Sequence, residues 1–520
     1  MKTTVLIIGA GPTGLMMACQ LAALNVPFVI VEKDPSTTYE SRAIGIQARS
    51  LEIFQQMGIA DTFLKEGNPA GIIDFIANGK IREHVPLSGL GTGLTQFPFL
   101  LFLEQFRTEA ILVDFLKKHK ISVLWDTTVL SFTQTQDGTT SVIQHKDGKE
   151  ETIEADWIVG ADGAHSIVRH TLGIELAGKT YKQSLFVLDC KVASPVLSST
   201  HLAVLFSDTA FAAIFPMKDN HWRIVGEVPP RLYGKDTITF EDVAKDFAKR
   251  MQLDITLSHP YWVSLYHAHH RCVNTFKKGR CFLGGDAGHI HSPVGAQGMN
   301  TGLQDAYNLA WKIAFVHKDL AKEALLETFN EDRMPFAKKL VETTDRAFNF
   351  VVAGGKIGAF FRTHIAPKVI KFVISKKISR EFVFRTVSQI GISYHSSSLS
   401  KNASFGNFPK SAPLPGDRLP FITFEQDKNI QDEIKITHMQ LLLFTGKSEE
   451  MNDIEQVIEK YSKAIAVTKI PFNEHTKDLY EKFGIENNGY YLVRPDMYIA
   501  CRSNGENKEN FEEYLSKFLI

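Results

Sequence analysis

The first 32 residues carry the clearest hydrophobic pattern in the chain. Residues 5–8 and 28–31 are short apolar runs, and residues 15–24 place apolar side chains at helical spacing. The glycine-rich sequence GAGPTG, residues 9–14, separates the first run from the helix, and Glu32 directly follows the second run. Because buried parallel strands are continuously apolar, this pattern predicts a βαβ unit of an α/β fold.

The glycine turn has the spacing of a dinucleotide-binding site. Gly9 would make the tight turn, Gly11 would let a pyrophosphate approach the backbone, and Gly14 would let the helix pack close to the strand. The free N–H groups at the helix start would face the anion, and Glu32 would accept hydrogen bonds from a ribose. A glycine turn in some other α/β unit is the alternative, which the complete strand, helix and carboxylate context disfavours.

Shorter patterns further along predict two more ligand-binding edges. The predicted elements are a strand pair at 71–86 around an Asn78-Gly79 turn, a helix within 100–118, a strand at 121–125, a β-meander at 129–144 and a strand at 157–160. Asp162 follows that last strand, at the edge where open α/β sheets bind ligands. Residues 280–302 repeat the arrangement, because Asp286 follows an apolar run and a glycine-rich loop leads into a helix at 301–317.

Residues 181–269 change to alternating apolar and polar positions, which indicates an antiparallel sheet. Strands are predicted at 184–191, 202–206, 210–216, 222–227 and 262–270, and a helix at 239–251. We interpret this sheet as an insertion between two halves of a dinucleotide-binding domain and as the wall for a substrate. Its candidate substrate-side residues are Phe206, Phe211, Phe215 and Arg223. We expect Arg223 to be an exposed strand arginine, with pairing to a substrate carboxylate as the alternative.

Composition narrows the partners to small molecules. Among the 520 residues, 58 are Lys or Arg and 58 are Asp or Glu. The chain therefore has no net positive charge that would attract nucleic acid or an anionic membrane. The five cysteines are scattered without a CxxC pair, which predicts reduced thiols, no metal site and a cytoplasmic location. Residues 3–31 carry no charge, but their glycines and Pro12 argue against a membrane span or a leader.

Three segments together resemble the FAD-dependent aromatic hydroxylases, the single-component flavoprotein monooxygenases of the para-hydroxybenzoate, phenol and polyketide hydroxylase type. The GxGxxG turn with Glu32 looks like the ADP-binding motif of this family. Asp162-Gly163 is similar to its DG motif, and Gly285-Asp286 with residues 293–312 is similar to its GD motif. The resemblance covers roughly residues 3–350.

The tail from about residue 404 begins with a Pro/Gly-rich linker and resembles the C-terminal domain of the larger family members, including its Arg494-Pro495-Asp496 sequence. Because it lacks CxxC, we expect a structural or dimer-supporting role rather than thiol redox work. The implied fold is α/β, with four parts: a discontinuous Rossmann-like FAD-binding domain at 1–180 and 270–350, an inserted antiparallel-sheet substrate domain at 181–269, a helical linker at 351–403 and a thioredoxin-like domain at 404–520.

The resemblance also assigns FAD contacts to individual residues. Asp286 would bind the ribityl or diphosphate region, Gln105 would contact the flavin side, and Met299 and Asn300 would donate backbone N–H groups to the flavin ring. The complete implied cofactor set is Gly9, Gly11, Pro12, Thr13, Gly14, Glu32, Lys33, Arg42, Gln105, Val129, Asp162, Gly285, Asp286, Gly298, Met299 and Asn300. Ala296 departs from the family pattern and adds a methyl group beside the flavin.

The implied activity is hydroxylation of an aromatic small molecule, phenolic or polycyclic, with NADPH or NADH as a transient co-substrate. A flavin C4a-hydroperoxide formed from O2 would transfer one oxygen atom, while the protein orients the substrate and excludes water. Arg42 and Pro293 are the candidate catalytic residues; His289 and His291 are interpreted as packing, and no base is identified. The alternatives are an antibiotic-modifying or polyketide-tailoring hydroxylase and, in another class, a flavin-binding redox-sensing regulatory protein. A homodimer is left open.

Overall fold

The computed structural model describes most of the chain, and three large β-sheets organise it. The described residues are 1–38, 43–208, 210–291, 296–352, 365, 368–369, 372, 376–424, 428–446 and 451–520. The three large sheets contain seven, eight and five strands, and two small sheets of two and three strands accompany them.

The strands and helices are named here in chain order. The strands are β1 (Lys2–Ile8), β2 (Phe28–Val31), β3 (Gly45–Ile46), β4 (Asn68–Ala70), β5 (Ile72–Ala77), β6 (Lys80–Pro86), β7 (Leu100–Phe102), β8 (Thr128–Gln134), β9 (Thr139–Gln144), β10 (Glu150–Gly160), β11 (Leu176–Ala193), β12 (His201–Phe206), β13 (Phe211–Pro216), β14 (His221–Glu227), β15 (Thr256–Val273), β16 (Lys277–Lys278), β17 (Cys281–Leu283), β18 (His289–Ile290), β19 (Ser404–Phe405), β20 (Thr423–Phe424), β21 (Lys428–Asn429), β22 (Met439–Gly446), β23 (Ile465–Pro471), β24 (Asn488–Val493) and β25 (Ile499–Asn504). The α-helices are α1 (Pro12–Ala23), α2 (Ala48–Gln56), α3 (Ala60–Glu66), α4 (Ser88–Gly91), α5 (Gln105–Lys118), α6 (Ile167–Thr171), α7 (Phe240–Met251), α8 (Gly298–His317), α9 (Thr328–Val352), α10 (Lys377–Val387), α11 (Asn452–Lys460), α12 (Lys477–Phe483) and α13 (Lys508–Phe518).

The first sheet contains the expected βαβ unit. Its order is β16-β17-β10-β1-β2, with the β8–β9 pair attached to β10. Strands β17, β10, β1 and β2 run parallel, and Ile8 at the end of β1 lies between Val31 and Gly160. The predicted strand at 121–125 is wrong, because only Leu124 forms a parallel bridge to Val31. The chain turns away at Asp126, which has a left-handed φ of 50°.

The second sheet has the order β18-β15-β11-β14-β13-β12-β5-β6. The predicted antiparallel strands form its centre, and the 71–86 hairpin joins it through a parallel pairing of β5 with β12. One face packs on α7, where Val243 and Phe247 meet buried residues of β12, β13 and β14. The opposite face carries Phe206 and Phe211.

The third sheet has the order β19-β25-β24-β22-β23, with α11, α12 and α13 near it in sequence. Residues after β24 reach helix α8 and its neighbours: the Arg494 guanidinium donates to Asp332 at 2.8 Å, and Asn308 donates to the Asp496 carboxylate at 3.0 Å. Tyr307 donates to the Pro495 carbonyl at 3.2 Å. Helix α8 is therefore covered by residues from the C-terminal part of the chain.

None of the helices in the described part of the chain combines the length and apolar composition needed to cross a bilayer. The predicted helix within 100–118 is divided into the short strand β7 and helix α5. Helix α8 begins at Gly298, three residues before the predicted start, and nearly all of its residues are buried.

Candidate active site

The first glycine turn has the geometry that its spacing predicts. Gly9 has a φ of 101°, and a Cβ there would overlap the Ala161 carbonyl oxygen. A Cβ on Gly14 would overlap the Gly9 carbonyl oxygen, so the first turn of α1 lies directly against the turn. Gly11, the N-cap of α1, has no atom within 4 Å of where its Cβ would stand. Pro12, at the first helical position, has no N–H group that needs an acceptor. The space beside Gly11 is open, and at the start of a helix such a space suits a pyrophosphate.

Glu32 lies beside this turn. Its carboxylate accepts from the Ala10 N–H at 2.6 Å and from the Asp34 N–H at 3.1 Å, and its side chain is half-buried. The neighbouring Lys33 is exposed. The Thr127 N–H donates to the Glu32 carbonyl at 2.8 Å, which brings the start of β8 and the buried Val129 close to the same edge.

Gln105 is the first residue of helix α5. Its Oε1 accepts from the Ala43 N–H at 3.1 Å, and its Nε2 donates to Glu109 at 2.9 Å. Glu109 also accepts from the Thr38 N–H at 3.1 Å. Burial and, to a smaller extent, the charge of Glu32 raise the pKa of Glu109 to about 7. These contacts hold both flanks of residues 39–42, and Arg42 itself lies outside the described residues.

The second glycine-rich segment packs against the first helix. Gly285 has a φ of 58°, and Cβ atoms on Gly285 or Gly302 would overlap the Thr13 hydroxyl. Asp286 follows as an exposed residue. Thr13 therefore joins the start of α1 to the segment that precedes α8, and the first turns of both helices lie side by side. The first residues of a helix leave N–H groups without intrahelical acceptors, and in α8 these are Gly298, Met299 and Asn300.

The side chain of Asn300 fixes the start of α8. Its Oδ1 accepts from the Gln47 N–H and the Ser50 hydroxyl, and its Nδ2 donates to the carbonyls of Gly45 and Ala296, all at 2.7–2.9 Å. Ala296 has a left-handed φ of 53°, a conformation that glycine adopts at less cost. Its methyl group lies 2.5 Å from where a Cβ on Gly45 would stand, so the glycine at 45 makes room for it. Pro293 lies outside the described residues.

Asp162 is half-buried at the end of β10. One carboxylate oxygen accepts from the Val168 N–H at 3.3 Å, and the other is buried without a hydrogen-bond partner in the part of the chain that the structure describes. Burial raises the pKa of this carboxyl group. A cofactor hydroxyl or water could satisfy that oxygen.

His289 belongs to a buried ion network behind the second glycine segment. Its Nε2 lies 2.7 Å from an Asp305 carboxylate oxygen, which also accepts from the Gly285 N–H at 3.0 Å. Arg333 donates to the other oxygen at 2.7 Å. Burial opposes the charge on Asp305, but Arg333 and His289 outweigh it and lower the pKa to about 2. His289 is thus fixed in place by its contact with Asp305.

The predicted phenylalanines lie on the face of the second sheet that does not pack on α7. Phe206 and Phe211 are cross-strand partners and are buried together with Leu185. Phe215 makes an edge-to-face contact with Phe102 of β7, with ring centroids 5.4 Å apart. Because Phe102 lies three residues before Gln105, its contact with Phe215 connects this aromatic wall to the predicted flavin side.

The prediction for Arg223 is wrong: its side chain is buried, with 1% of its surface exposed. The guanidinium makes two hydrogen bonds of 2.6 Å to Asp189, its neighbour on β11. Its Nη1 is buried without a partner among the described residues. The sequence could not reveal this pairing, because the two residues meet only through the register of β11 and β14.

His221 extends the same charge cluster toward α5. Its Nδ1 lies 3.1 Å from Glu104 and its Nε2 lies 3.5 Å from Asp189. Burial opposes a charge on the imidazole, but the hydrogen bonds and charges of Asp189 and Glu104 outweigh it and raise the pKa of His221 to about 9. We define Glu104, Asp189, His221 and Arg223 as the polar cluster of the wall. Sequence patterns did not single out Glu104, Asp189 and His221 in this cluster, or Gly45, Asp305 and Arg333 around the start of α8.

Two neighbouring glycine-lined helix starts with a carboxylate beside the first have the geometry of a dinucleotide-binding site. A family model described as an FAD binding domain matches residues 2–344. The chain belongs to this family of FAD-dependent aromatic hydroxylases and is a flavoprotein monooxygenase.

Similar proteins extend over nearly the whole chain. A 6-methylpretetramide 4-monooxygenase of Streptomyces rimosus is 30% identical and covers 96% of this chain and 90% of that protein. A pentachlorophenol 4-monooxygenase of Sphingobium chlorophenolicum is 26% identical, with 99% and 96% covered. The solved structure of the flavin-dependent monooxygenase PieE with FAD and substrate shares the fold, with a TM-score of 0.83, 20% identity and 99% of both chains covered.

Proposed function

We propose that this monooxygenase hydroxylates a phenolic or polycyclic aromatic molecule, with FAD as cofactor, O2 as oxidant and NADPH or NADH as transient reductant. The observation that carries the proposal is the aromatic wall of Phe206, Phe211 and Phe215 beside the predicted flavin side. An aromatic substrate can bury its faces against such rings, with edge-to-face or offset contacts. One relative is named for 6-methylpretetramide and the other for pentachlorophenol, and these two compounds support this substrate range.

The described residues fit FAD. The open space at Gly11 and the N–H groups of α1 suit the pyrophosphate, and the Glu32 carboxylate has acceptor capacity for a ribose. The N–H groups of Met299 and Asn300 suit the electron-rich edge of the flavin ring. When bound, FAD supplies the activation of O2 and the transfer of one oxygen atom.

The chain's own residues orient the substrate and exclude water. The buried phenylalanine rings provide the apolar surface, and the polar cluster places two cationic and two anionic side chains at its edge. Arg223 Nη1 is a donor with no protein acceptor in the described part of the chain, so it can bind an oxygen atom of the substrate. NADPH or NADH would visit transiently, because the sequence contains no second GxGxxG.

An antibiotic-modifying or polyketide-tailoring role is the second candidate. It is supported by the full-length similarity to the 6-methylpretetramide 4-monooxygenase. The alternative of a redox-sensing regulatory protein does not fit a chain that is a flavoprotein monooxygenase. The cytoplasmic location, the homodimer and the thioredoxin-like architecture of residues 404–520 stay predictions.

The test uses the purified protein with its visible spectrum recorded first. Oxidation of NADH and NADPH is followed across phenols, aromatic acids and polycyclic antibiotics, and product masses are measured. We expect one compound class to accelerate oxidation and to gain one oxygen atom. A Phe206→Ala variant should keep the flavin spectrum and lose most of that acceleration. Absence of an oxygenated product across the whole panel would contradict the proposed substrate class, and a colourless protein that fails to take up FAD would contradict the cofactor assignment.

A further inference from the structure

Two histidines and one aspartate meet on the face of the second sheet that packs on α7, next to the edge strand β6. Asp74 lies on β5, His84 on β6 and His201 on β12, and the strand pairing brings them together although no metal-binding spacing links them in sequence. Successive strand residues point to opposite faces. Asp74 therefore points away from the neighbouring Phe75, which packs with the aromatic wall.

The cluster is compact and partly open to solvent. His84 Nδ1 lies 2.6 Å from one Asp74 oxygen, and His201 Nδ1 lies 2.9 Å from the other. Asp74 is 1% exposed, whereas the His84 side chain is 58% exposed. One ligand atom from each of the three residues lies within 4.8 Å of the others. A buried carboxylate with two imidazole nitrogens on it is the donor set of a metal site, and the exposed side gives an ion access.

We propose that Asp74, His84 and His201 bind a divalent transition-metal ion, and that Zn²⁺ matches the donor set best. Zn²⁺ prefers imidazole nitrogen and carboxylate oxygen, and three protein ligands leave a position for water on the solvent side. The ion would replace the direct contacts that now join the two Nδ1 atoms to the carboxylate. It would connect β6 to β12 across β5, directly behind the aromatic wall.

The experiment uses the FAD-loaded protein after removal of metals with a chelator. Zn²⁺ binding is measured by titration calorimetry and by metal analysis after equilibrium dialysis. We expect one ion per chain, and binding that is weaker by roughly tenfold or more in His84→Ala and in His201→Ala, because each lacks one of three ligands. His475→Ala, at an exposed histidine of the C-terminal part, is the matched control and should bind like the parent.

A second measurement identifies the ligands. Oxidised FAD has no unpaired electron, so the paramagnetic resonance spectrum of added Cu²⁺ reports its own ligands. We expect coupling to two nitrogen atoms in the parent and to one in either histidine variant. If His84→Ala loses its flavin, His84→Gln replaces it in both measurements, because a glutamine side chain can keep a hydrogen bond to Asp74. Absence of Zn²⁺ binding, or equal binding in parent and variants, would overturn the proposal and leave the cluster as a hydrogen-bonded link between strands.

Discussion

The ionisation of His221 gives the most direct test of the polar cluster. The imidazole lies between Glu104 and Asp189, and its pKa is raised from 6.5 to about 9. We therefore expect His221 to be a cation at neutral pH. Asp189→Asn removes one of the two carboxylates and should lower the pKa of His221 by about one unit or more.

The raised pKa of His221 also makes the stability of the folded protein depend on pH. A difference between 6.5 and about 9 corresponds to about 3 kcal/mol at 1.36 kcal/mol per unit. Solvent near the partly exposed ring screens the interaction and reduces it to about 1–2 kcal/mol. Because the folded pKa is the higher one, this stabilisation is complete below pH 6.5 and is lost as the pH rises through 9.

The assay is a pH titration of the protein carrying ¹³C at the Cε1 of every histidine. The His221 signal is assigned as the one missing from His221→Gln, and the exposed His475 serves as the internal control. We expect the His221 signal to titrate near 9 in the parent and at a lower pH in Asp189→Asn. A His221 signal that titrates near 6.5 in the parent, or that does not respond to Asp189→Asn, would refute the reasoning.

Three further predictions concern packing. Gly14→Ala should prevent folding, because its Cβ would overlap the Gly9 carbonyl oxygen of the turn. Gly11→Ala should fold, as judged by an unchanged far-ultraviolet circular dichroism spectrum, but should bind FAD roughly tenfold more weakly or worse, as measured by flavin fluorescence. Gly45→Ala should lower the thermal unfolding temperature, and the addition of Ala296→Gly should recover most of the loss; no recovery would contradict the contact. Arg494→Met removes the cation that pairs with the buried carboxylates of Asp332 and Asp496, and it should lower the free energy of unfolding by about 3–5 kcal/mol. We expect α8 and the third sheet to unfold at a lower temperature, and an unchanged thermal unfolding curve would contradict this.

Local patterns were sufficient for the elements that bury continuous apolar runs. The βαβ unit, its glycine turn and helix α8 could be predicted because their sequence constraints lie within a few residues of one another. The burial of Arg223 could not, since Asp189 meets it only across strands β11 and β14. The hairpin at 71–86 was predicted as a local structure, but its parallel pairing with β12 depends on tertiary contacts.

The contact of Arg494, Pro495 and Asp496 with helix α8 sets an order for biosynthesis. The ribosome makes α8 long before it makes these three residues. Lys312 and Asp332 are buried and share their charge network with Arg494, so until Arg494 arrives they lack one of their partners. Helix α8 therefore reaches its final packing only after residues 494–496 have left the ribosome, and a nascent chain stalled before them would leave this side of α8 uncovered.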